Sequence, residues 1–342
     1  MAELQFKKVI EILGRPSYQS DSVAIYNMDC IEGMRKLPAN SIHLTVTSPP
    51  YNIGKEYEKI ARIHDYIQWC EQWLAKIYNV TVENGAFWLN VGYVEVAHKG
   101  LAVPIPYLLW DKTDFYMIQE VIWNYGAGVA CRKRLSPRNE KLLWYVKDPK
   151  KYTFHLDPIR DPDVKYPNQK KNGKLKCNPL GKNPSDVWRI AKVTSGKNRA
   201  SKERTPHPAQ FPRELIDRVI QACSNKGEII LDPFMGSGTT AESAVKNERY
   251  VIGFEVEKKY IQLAASRLAK FIHNEKLRKA NRKLPFAEKV LPVDRSEISG
   301  LSSHYGQAIR NESLKYPVDY FVLRTFQSLQ LSNSRLCLFC PP

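Results

Sequence analysis

The chain has 342 residues, of which 43% are hydrophobic, so it can bury the core of a large domain and of a smaller one. Its 52 Lys and Arg outnumber its 35 Asp and Glu, and this net charge of +17 favours a polyanionic partner such as nucleic acid. No run of about 18 apolar residues occurs and residues 1–16 lack a signal-peptide core, so a cytosolic protein without a membrane span is expected.

The first part of the chain predicts strands that alternate with helices. Short apolar runs predict strands at 23–26, 42–46 and 86–91. Between and after them, apolar residues at helical spacing predict helices at 31–37, 64–82 and 101–111. Residues 120–125 and 141–146 then predict an antiparallel pair of strands around a basic loop.

The middle of the chain, residues 147–206, is basic and irregular. It holds sixteen Lys and Arg against six Asp and Glu, so it carries a large share of the net charge. An irregular stretch of this length is usually functional or disordered. The concentration of charge favours a nucleic-acid-binding face, and a disordered basic loop is the alternative.

Regular patterns return after residue 206. Helices are predicted at 212–223, 239–246 and 258–272, and strands at 228–231 and 250–254. This alternation predicts parallel strands covered by helices, hence an α/β protein with a doubly wound, mostly parallel sheet. Beyond residue 274 there is no motif. Cys337 and Cys340 form a close pair, but no second pair accompanies them and no metal site is expected.

Two of the predicted strands run into tight turns of unusual sequence. One turn is Thr47-Ser48-Pro49-Pro50-Tyr51, and the other is Asp232-Pro233-Phe234-Met235-Gly236-Ser237-Gly238-Thr239. Ligands of open α/β sheets bind where such turns leave the carboxyl ends of strands. The second turn lacks the Lys of a phosphate-binding P-loop and the third Gly of a dinucleotide fingerprint. Glu255, at the end of the next strand, could accept the hydroxyl groups of a ribose.

Together the two turns resemble the motifs of the DNA amino-methyltransferases, in the β arrangement that puts the catalytic turn before the cofactor turn. The resemblance covers roughly residues 22–270. It implies a Rossmann-like fold dependent on S-adenosylmethionine, double-stranded DNA as substrate, a small DNA-recognition subdomain and a companion restriction endonuclease. The implied division is an N-terminal extension (1–21), a catalytic half (22–146), a target-recognition region (147–205), a cofactor-binding half (206–275) and a C-terminal extension (276–342).

The resemblance also assigns the cofactor to particular residues. Gly236 and Gly238 would let the backbone approach the ligand closely. A helix start flanked by proline, as at Pro212, has free N–H groups that suit a carboxylate. The implied cofactor contacts are Asp29, Cys30, His207, Pro208, Gln210, Asp232, Pro233, Phe234, Gly236, Ser237, Gly238, Thr239 and Glu255.

The first turn has the chemistry that methylation of a base amine needs. The amine lone pair is delocalised into the ring, so acceptors must hold the amine hydrogens, and Ser48 Oγ and the Pro49 carbonyl could do so. Pro49 and Pro50 remove competing backbone donors, and Tyr51 offers a face to an extruded base. A turn that begins with Ser resembles mainly cytosine-N4 enzymes, so cytosine N4 is the expected target. Adenine N6 is the alternative, and a catalytically idle DNA-binding protein is the second.

Two groups of cations are expected to contact DNA. Arg132, Lys133 and Arg134 lie in the basic loop between the paired strands, and Lys170, Lys171 and Lys174 lie in the target-recognition region. Lys and Arg suit phosphates, and amide side chains suit base edges in the major groove. The amides available for that role are Asn168, Gln169, Asn172, Asn178 and Asn183.

Overall fold

A computed structural model describes residues 2–128, 130–193, 201 and 203–283. The chain divides into two units, Met1–Ile272 and His273–Pro342. The whole sheet belongs to the first unit, and so do the helices that cover it as far as residue 272. Of the second unit the described residues are 273–283, so most of the predicted C-terminal extension, with Cys337 and Cys340, lies outside the described residues.

The described residues alternate between strands and helices along most of the chain. The helices are α1 (Ala2–Leu13), α2 (Cys30–Lys36), α3 (Ile63–Val80), α4 (Pro106–Leu109), α5 (Arg213–Cys223), α6 (Thr239–Lys246) and α7 (Lys258–Lys283). The strands are β1 (Tyr18–Gln19), β2 (Val23–Asn27), β3 (Ile42–Thr47), β4 (Thr81–Val91), β5 (Tyr93–Val96), β6 (Gly100–Pro104), β7 (Tyr116–Asn124), β8 (Asn139–Val146), β9 (Lys170–Lys171), β10 (Lys174–Leu175), β11 (Val187–Arg189), β12 (Ile229–Asp232) and β13 (Tyr250–Glu255).

Nine strands form one mixed sheet in the order β1-β2-β13-β12-β3-β4-β8-β7-β11. From β2 to β4 every neighbouring pair is parallel. The strand β8 is antiparallel to both β4 and β7, which confirms the antiparallel pair expected around the basic loop. The predicted doubly wound, mostly parallel sheet is therefore confirmed.

Apolar side chains point alternately to the two faces of this sheet. Along β12, Ile229 and Leu231 join the core that α1, α2 and α3 cover, whereas Ile230 joins the core that α5, α6 and α7 cover. Because both faces of a parallel sheet are buried, its strands are continuous apolar runs in the sequence. This is why β3, β12 and β13 could be located so closely from the sequence.

The N-terminal extension proves to be part of the fold, which the sequence did not indicate. The helix α1 packs on the sheet, where the ring of Phe6 stacks on that of Tyr250 with centroids 4.7 Å apart. The strand β1 adds an antiparallel edge beside β2. The extension thus contributes to both the core and the sheet edge.

The helix predicted at 101–111 is wrong over its first half. Residues there form β6, which pairs with β5 in a hairpin, and a helix of one turn, α4, follows it. Pro104 and Pro106 explain the difference, because proline lacks the N–H donor that a helix interior needs. The hairpin of β5 and β6 is a separate two-stranded sheet that directly follows the carboxyl end of β4 in the chain.

Both ends of the described part of the basic region, residues 147–193, pack against the main sheet. Near the first end, the ring of Phe154 lies 5.2 Å from that of Trp144 on β8. Trp188 of β11 stacks on Trp88 of β4, with ring centroids 5.7 Å apart, and Trp123 Nε1 donates to the Ile190 carbonyl at 2.7 Å. Between these ends, Asp161 and Lys182 exchange two backbone hydrogen bonds of 3.0 and 2.9 Å. The alternative of a disordered loop is therefore wrong for this described segment. The bridge closes off a projection, residues 161–182, that carries the hairpin of β9 and β10.

Candidate active site

The carboxyl ends of the parallel strands meet at one edge of the sheet, where a cavity of about 1140 Å³ opens. The turns after β2, β3, β12 and β13 all contribute to its lining. Because β8 runs antiparallel to β4, the amino end of β8 reaches the same edge. The volume exceeds the roughly 1,000 Å³ at the upper end of ordinary ligand sites, so the cavity has room for two ligands.

Most of the residues that the sequence singled out line this cavity. They are Asp29, Cys30, Ser48, Pro49, Pro50, Tyr51, Arg134, His207, Pro208, Gln210, Pro233, Phe234, Gly236, Ser237 and Glu255. The lining does not include Arg132, Lys133, Lys170, Lys171, Lys174, Asp232, Gly238 and Thr239. The two unusual turns thus belong to one site, although some of their residues support its walls from behind.

The hydroxyl groups of Ser48 and Tyr51 lie 2.9 Å apart at one end of the cavity. The Tyr51 hydroxyl is also 3.1 Å from Glu140 Oε2 and 3.2 Å from the Asn90 carbonyl. The Asn90 amide donates to Glu140 Oε2 at 2.9 Å and to the Tyr51 oxygen at 3.0 Å. Burial, and next the Glu140 charge, raise the pKa of Tyr51, so its hydroxyl is neutral and can donate.

The carbonyl groups of the two prolines in this turn differ in whether a donor of the protein reaches them. The Tyr66 hydroxyl donates to the Pro50 carbonyl at 2.9 Å and thereby fixes the turn to α3. No donor for the Pro49 carbonyl is found among the described residues, and Pro49 lines the cavity. Because no described residue donates to it, the Pro49 carbonyl is a candidate acceptor for a ligand.

Glu140 is held from its other side by Lys192. Lys192 Nζ lies 2.7 Å from Glu140 Oε1 and 3.8 Å from the centroid of the Tyr125 ring. Burial lowers the pKa of Lys192 and is the largest single cause, but the charges and hydrogen bonds of Glu140 and Tyr125 together outweigh it, so the net pKa is raised and the ammonium stays protonated. Glu140 is thus fixed between a cation and the hydroxyl of Tyr51.

Sequence reasoning missed Asn90, Glu140 and Lys192, although all three line the cavity. Asn90 and Glu140 stand at the ends of β4 and β8, and polar residues at the ends of apolar strands were the available signal. Their proximity depends on the antiparallel pairing of the two strands, in which Asn90 faces Leu142. Lys192 reaches the site only because β11 docks beside β7.

Asp232 lies beneath the second turn instead of facing the cavity, which differs from the predicted cofactor contact. Its Oδ1 accepts hydrogen bonds from Thr47 Oγ1 at 2.7 Å and from the Phe234 N–H at 3.1 Å. Burial raises the pKa of Asp232 to about 6. Through these two hydrogen bonds Asp232 links the ends of β3 and β12 and fixes the backbone of the second turn.

The two glycines of the second turn both have left-handed backbone angles. Gly236 has a φ of +50°, and a Cβ there would lie 3.0 Å from His207 Nε2. Gly238 has a φ of +79° at the start of α6, where a Cβ would lie 3.0 Å from that of Ala264. Gly236 thus permits a close approach within the cavity wall, and Gly238 permits the packing of α6 on α7, while its contact with a cofactor stays a prediction.

The hydroxyl groups of Ser237 and Thr239 are engaged by α7. Arg267 donates to Thr239 Oγ1 at 2.9 Å and to Ser237 Oγ at 3.3 Å, and it pairs with Glu242 at 2.7 Å. Thr239 is buried and does not line the cavity, and its contact with a cofactor stays a prediction. Ser237 lines the cavity, but its side chain also belongs to this structural network.

Glu255 points its carboxylate along the cavity wall. Its Oε2 accepts from the Gly236 N–H at 2.9 Å, and its Oε1 accepts from the Glu257 N–H at 2.8 Å. Burial raises the pKa of Glu255. Two backbone donors thus set the orientation of the carboxylate, and each oxygen keeps lone pairs for a ligand. Cys30, on the neighbouring wall, has a buried thiol whose pKa burial raises to about 12, so it is neutral.

Two predicted contacts, Asp29 and Gln210, use their side chains to hold their own segments. Asp29 Oδ1 caps α2 by accepting from Ile31 N at 2.9 Å and Glu32 N at 3.1 Å. Gln210 Oε1 accepts from both the N–H and the hydroxyl of Thr205, at 2.9 and 2.8 Å. Both residues still line the cavity, but Gln210 acts as a clamp for the loop before α5 instead of offering a free amide.

His207 sits between two aromatic rings at the cavity wall. Its ring stacks on that of Tyr57 at 5.9 Å and meets that of Tyr260 edge-on at 4.3 Å. Burial lowers the pKa of His207 to about 4, so the imidazole is neutral near pH 7. The three rings form an aromatic part of the cavity wall, and His207 lies next to Gly236.

The predicted DNA-contacting cations occupy two exposed places. Arg132, Lys133 and Arg134 lie in a loop whose base is closed by a 2.8 Å hydrogen bond from Cys131 N to Ser136 Oγ. Lys170, Lys171 and Lys174 lie on the two-stranded hairpin of the 161–182 projection and are exposed. The structure brings Arg134 to the cavity but leaves the lysines on the separate projection.

Two classes of feature are not found in the part of the chain that is described. Among its residues, no group of three His, Cys, Asp or Glu side chains could hold a metal ion. None of its helices combines the length and the apolar character that crossing a membrane would require.

The chain is similar to known proteins over most of its length. A family model described as DNA methylase matches residues 42–266. The Type II methyltransferase M.ScaI of Streptomyces caespitosus is 61% identical over 256 residues, which cover 75% of this chain and 84% of that protein.

Two solved structures resemble the fold. The cytosine-N4-specific PvuII DNA methyltransferase has a TM-score of 0.59 and 18% identity, and the match covers 83% of this chain and 93% of that one. A putative DNA modification methylase of Thermus thermophilus, complexed with S-adenosyl-L-methionine, has a TM-score of 0.50 and 23% identity, over 72% of this chain and 95% of that one.

Proposed function

The chain belongs to the DNA methylase family, and from this premise we propose that it methylates N4 of a cytosine flipped out of double-stranded DNA. It is a methyltransferase with a Rossmann-like fold, and its cofactor is S-adenosylmethionine. The choice of cytosine rests on one observation, the serine at position 48 whose hydroxyl is hydrogen-bonded toward Glu140 through Tyr51. DNA sequence specificity would come from the basic projection, residues 161–182.

The cavity suits the cofactor at the end formed by the second turn. S-adenosylmethionine supplies an electrophilic methyl group on a positively charged sulfur when it is bound. Glu255 offers an oriented carboxylate to a pair of ribose hydroxyls, and acceptors held by backbone donors need little rearrangement on binding. The rings of Tyr57, His207 and Tyr260 line the same end and give it an aromatic wall. Asp29 and Cys30 line the wall where the adenine would lie.

The other end of the cavity suits a base amine. Glu140 carries the strongest acceptor near the Tyr51 hydroxyl, so Tyr51 donates to Glu140 and Ser48 in turn donates to Tyr51. Asn90 Nδ2 donates to Ser48 Oγ at 3.4 Å, so this order leaves one lone pair of Ser48 Oγ to accept an amine hydrogen. The open Pro49 carbonyl is the second acceptor, so the amine lone pair is directed away from the turn and toward the cofactor end.

The same hydrogen bonds offer a route for the proton that methylation releases. Transfer of the methyl group from the sulfur of the bound cofactor to N4 would leave a positive charge on the amine, which then has to lose a proton. Ser48 Oγ accepts one amine proton, its own proton passes to Tyr51, and the Tyr51 proton passes to Glu140. Lys192 holds the Glu140 carboxylate in place for this transfer.

Two alternatives share much of this geometry. Adenine also presents an exocyclic amine, so the Ser48 and Pro49 acceptors could serve N6 methylation. A catalytically idle DNA-binding protein would keep the fold without turnover, although the intact network from Ser48 to Glu140 favours an enzyme. The nature of the product distinguishes all three.

The test is mass spectrometry of nucleosides from plasmid DNA incubated with the full chain and methyl-labelled cofactor. We expect label in N4-methyldeoxycytidine, which must be separated by chromatography from its C5-methylated isomer. Label only in N6-methyldeoxyadenosine would overturn the cytosine assignment and leave the enzyme class intact. Cofactor binding by calorimetry without any labelled nucleoside would favour the idle protein. Ser48→Ala serves as the variant expected to lose label while it still binds the cofactor.

We also propose a companion restriction endonuclease, because the 61% identical relative is a Type II methyltransferase. The chain would then act on DNA in the bacterial cytosol or nucleoid. Plasmid DNA from cells that express the chain should resist an endonuclease that cuts at the methylated site. Cleavage of that fully methylated DNA by every enzyme specific for the site would contradict a protective role.

A further inference from the structure

Leu135 is the most exposed large apolar side chain in the described part of the chain, with 94% of its surface open to solvent. A single exposed leucine is ordinary on a protein surface and needs no explanation by itself. The surroundings of Leu135 make it informative, because it stands at the tip of a loop among cations and beside the active site.

The loop is built to project. The hydrogen bond from Cys131 N to Ser136 Oγ, 2.8 Å long, closes its base and leaves Arg132, Lys133, Arg134 and Leu135 as the tip. All four tip residues are exposed, and the three cations precede the leucine without an intervening acid. Three cations suit the phosphate backbone of a nucleic acid, and an exposed leucine beside them suits the apolar faces of the stacked bases.

The loop also lies at the mouth of the catalytic cavity. Arg134 and Pro137, on either side of Leu135, both line the cavity. Glu140 follows Leu135 by five residues, so the chain between them spans at most about 18 Å. A duplex whose target base enters the cavity would therefore bring its base stack within reach of Leu135.

Extracting a base from a duplex leaves a gap and breaks stacking, and proteins that deform DNA often insert an apolar side chain between base steps. We propose that the loop of residues 131–136 docks on DNA through its cations and that Leu135 enters the stack beside the extruded target base. This inference rests on the proposed function and adds a residue that helps the base to leave the duplex, without touching the reacting atoms.

The test compares Leu135→Ala with the wild-type chain on two short duplexes. Both carry the site that the wild-type chain methylates, mapped on plasmid DNA. In one the target base is correctly paired, and in the other it is mispaired. We expect Leu135→Ala to methylate the paired duplex at least about tenfold more slowly and the mispaired duplex within about twofold of wild type, because a mispaired base costs less to extrude.

Three controls separate this role from a structural one. Leu135→Met keeps an apolar side chain and should retain most of the activity on the paired duplex. Leu4→Ala removes another exposed leucine, on α1, and should change neither rate. Cofactor affinity, measured by calorimetry, should be the same in every variant.

The outcomes are distinct. Equal losses on the paired and mispaired duplexes, or wild-type rates for Leu135→Ala on both, would overturn the inference while the methyltransferase activity stands. An inactive wild-type chain that still binds the cofactor would overturn the proposed function, and the role of Leu135 would fall with it. Selective loss on the paired duplex, with recovery in Leu135→Met, supports insertion.

Discussion

Thr47 Oγ1 donates a 2.7 Å hydrogen bond to Asp232 Oδ1 where β3 and β12 end side by side. The turn after β3 carries the proposed target-base acceptors, and the turn after β12 carries the proposed cofactor wall. A buried hydrogen bond therefore ties the two halves of the site together. Its position explains why two motifs some 185 residues apart in the sequence share one cavity.

The burial of Asp232 should make stability depend on pH. Its pKa is about 6 in the folded chain against an ordinary value of 3.8, so the folded chain holds the proton more tightly. Stability should therefore fall as the pH rises through this window, by up to about 3 kcal/mol above pH 6. Asp232→Asn keeps an acceptor for Thr47 and should lack this loss, so its unfolding free energy relative to wild type should rise between pH 4 and 7.

Urea denaturation of both proteins across that range measures the difference. Asp114→Asn, at an exposed position, is the control and should follow the wild type. Identical pH dependence of Asp232→Asn and wild type would mean that Asp232 does not carry the buried charge.

Glu140 should act in turnover and not in cofactor binding. Glu140→Gln removes the final acceptor of the proposed proton route, and the loss of a positioned acid or base typically lowers rates by about 10²–10⁴-fold. We expect kcat to fall by about 100-fold with the affinity for S-adenosylmethionine unchanged, as measured by calorimetry and single-turnover kinetics. Equal losses of kcat and of cofactor affinity in Glu140→Gln would contradict a role for Glu140 in turnover alone.

The contribution of Lys192 to kcat should depend on the presence of Glu140. Because Lys192 Nζ pairs with Glu140 Oε1 at 2.7 Å, Lys192→Met should lower kcat in the wild-type background but hardly at all in Glu140→Gln. A double-mutant cycle in kcat measures this coupling, and Lys8→Met, an exposed lysine on α1, is the control. Additive effects would show that the two residues act separately.

Glu255 and Tyr51 should separate the two ends of the cavity. Glu255→Ala should weaken S-adenosylmethionine binding by about tenfold or more, because a hydrogen bond to a charged group contributes about 1.5–3 kcal/mol. Tyr51→Ala should spare the cofactor but lose stacking of the flipped base, about 1–3 kcal/mol. Calorimetry with the cofactor and binding to the mapped duplex measure the two effects, and Glu11→Ala is the control. Equal loss of cofactor affinity in both variants would contradict the division.

The basic projection should govern how DNA affinity responds to salt. Changing Lys170, Lys171 and Lys174 together to Gln should weaken binding to every sequence. Each lost phosphate contact should reduce the slope of affinity against salt by about 0.9 in logarithmic units. The same change at Lys7, Lys8 and Lys226, which lie outside the projection, should leave the slope intact. An unaltered slope in the first variant would locate the DNA-facing surface elsewhere.

Local patterns in the sequence were enough to predict the parallel sheet and the two turns of the site. The apolar runs of β3, β12 and β13, buried on both faces, indicated a parallel sheet. The turns at Ser48–Tyr51 and Asp232–Thr239 indicated the site because Pro stiffens the backbone and removes a donor, and Gly lets the backbone approach a ligand, at the end of a buried strand. The helix expected at 101–111 failed because its apolar spacing competed with Pro104 and Pro106. The segment of α1 carried no motif, so the sequence did not predict its packing through Phe6.

Long-range pairing decided the rest. Glu140 reaches Tyr51 because β8 is antiparallel to β4, and Lys192 reaches Glu140 because β11 joins the sheet beside β7. Asp232 and Gln210 were assigned to the ligand, yet the fold turns their polar atoms toward Thr47 and Thr205. A sequence pattern indicates which side chains a strand or turn carries, whereas their partners depend on strand order and direction, which arise only when residues far apart in the chain pack together.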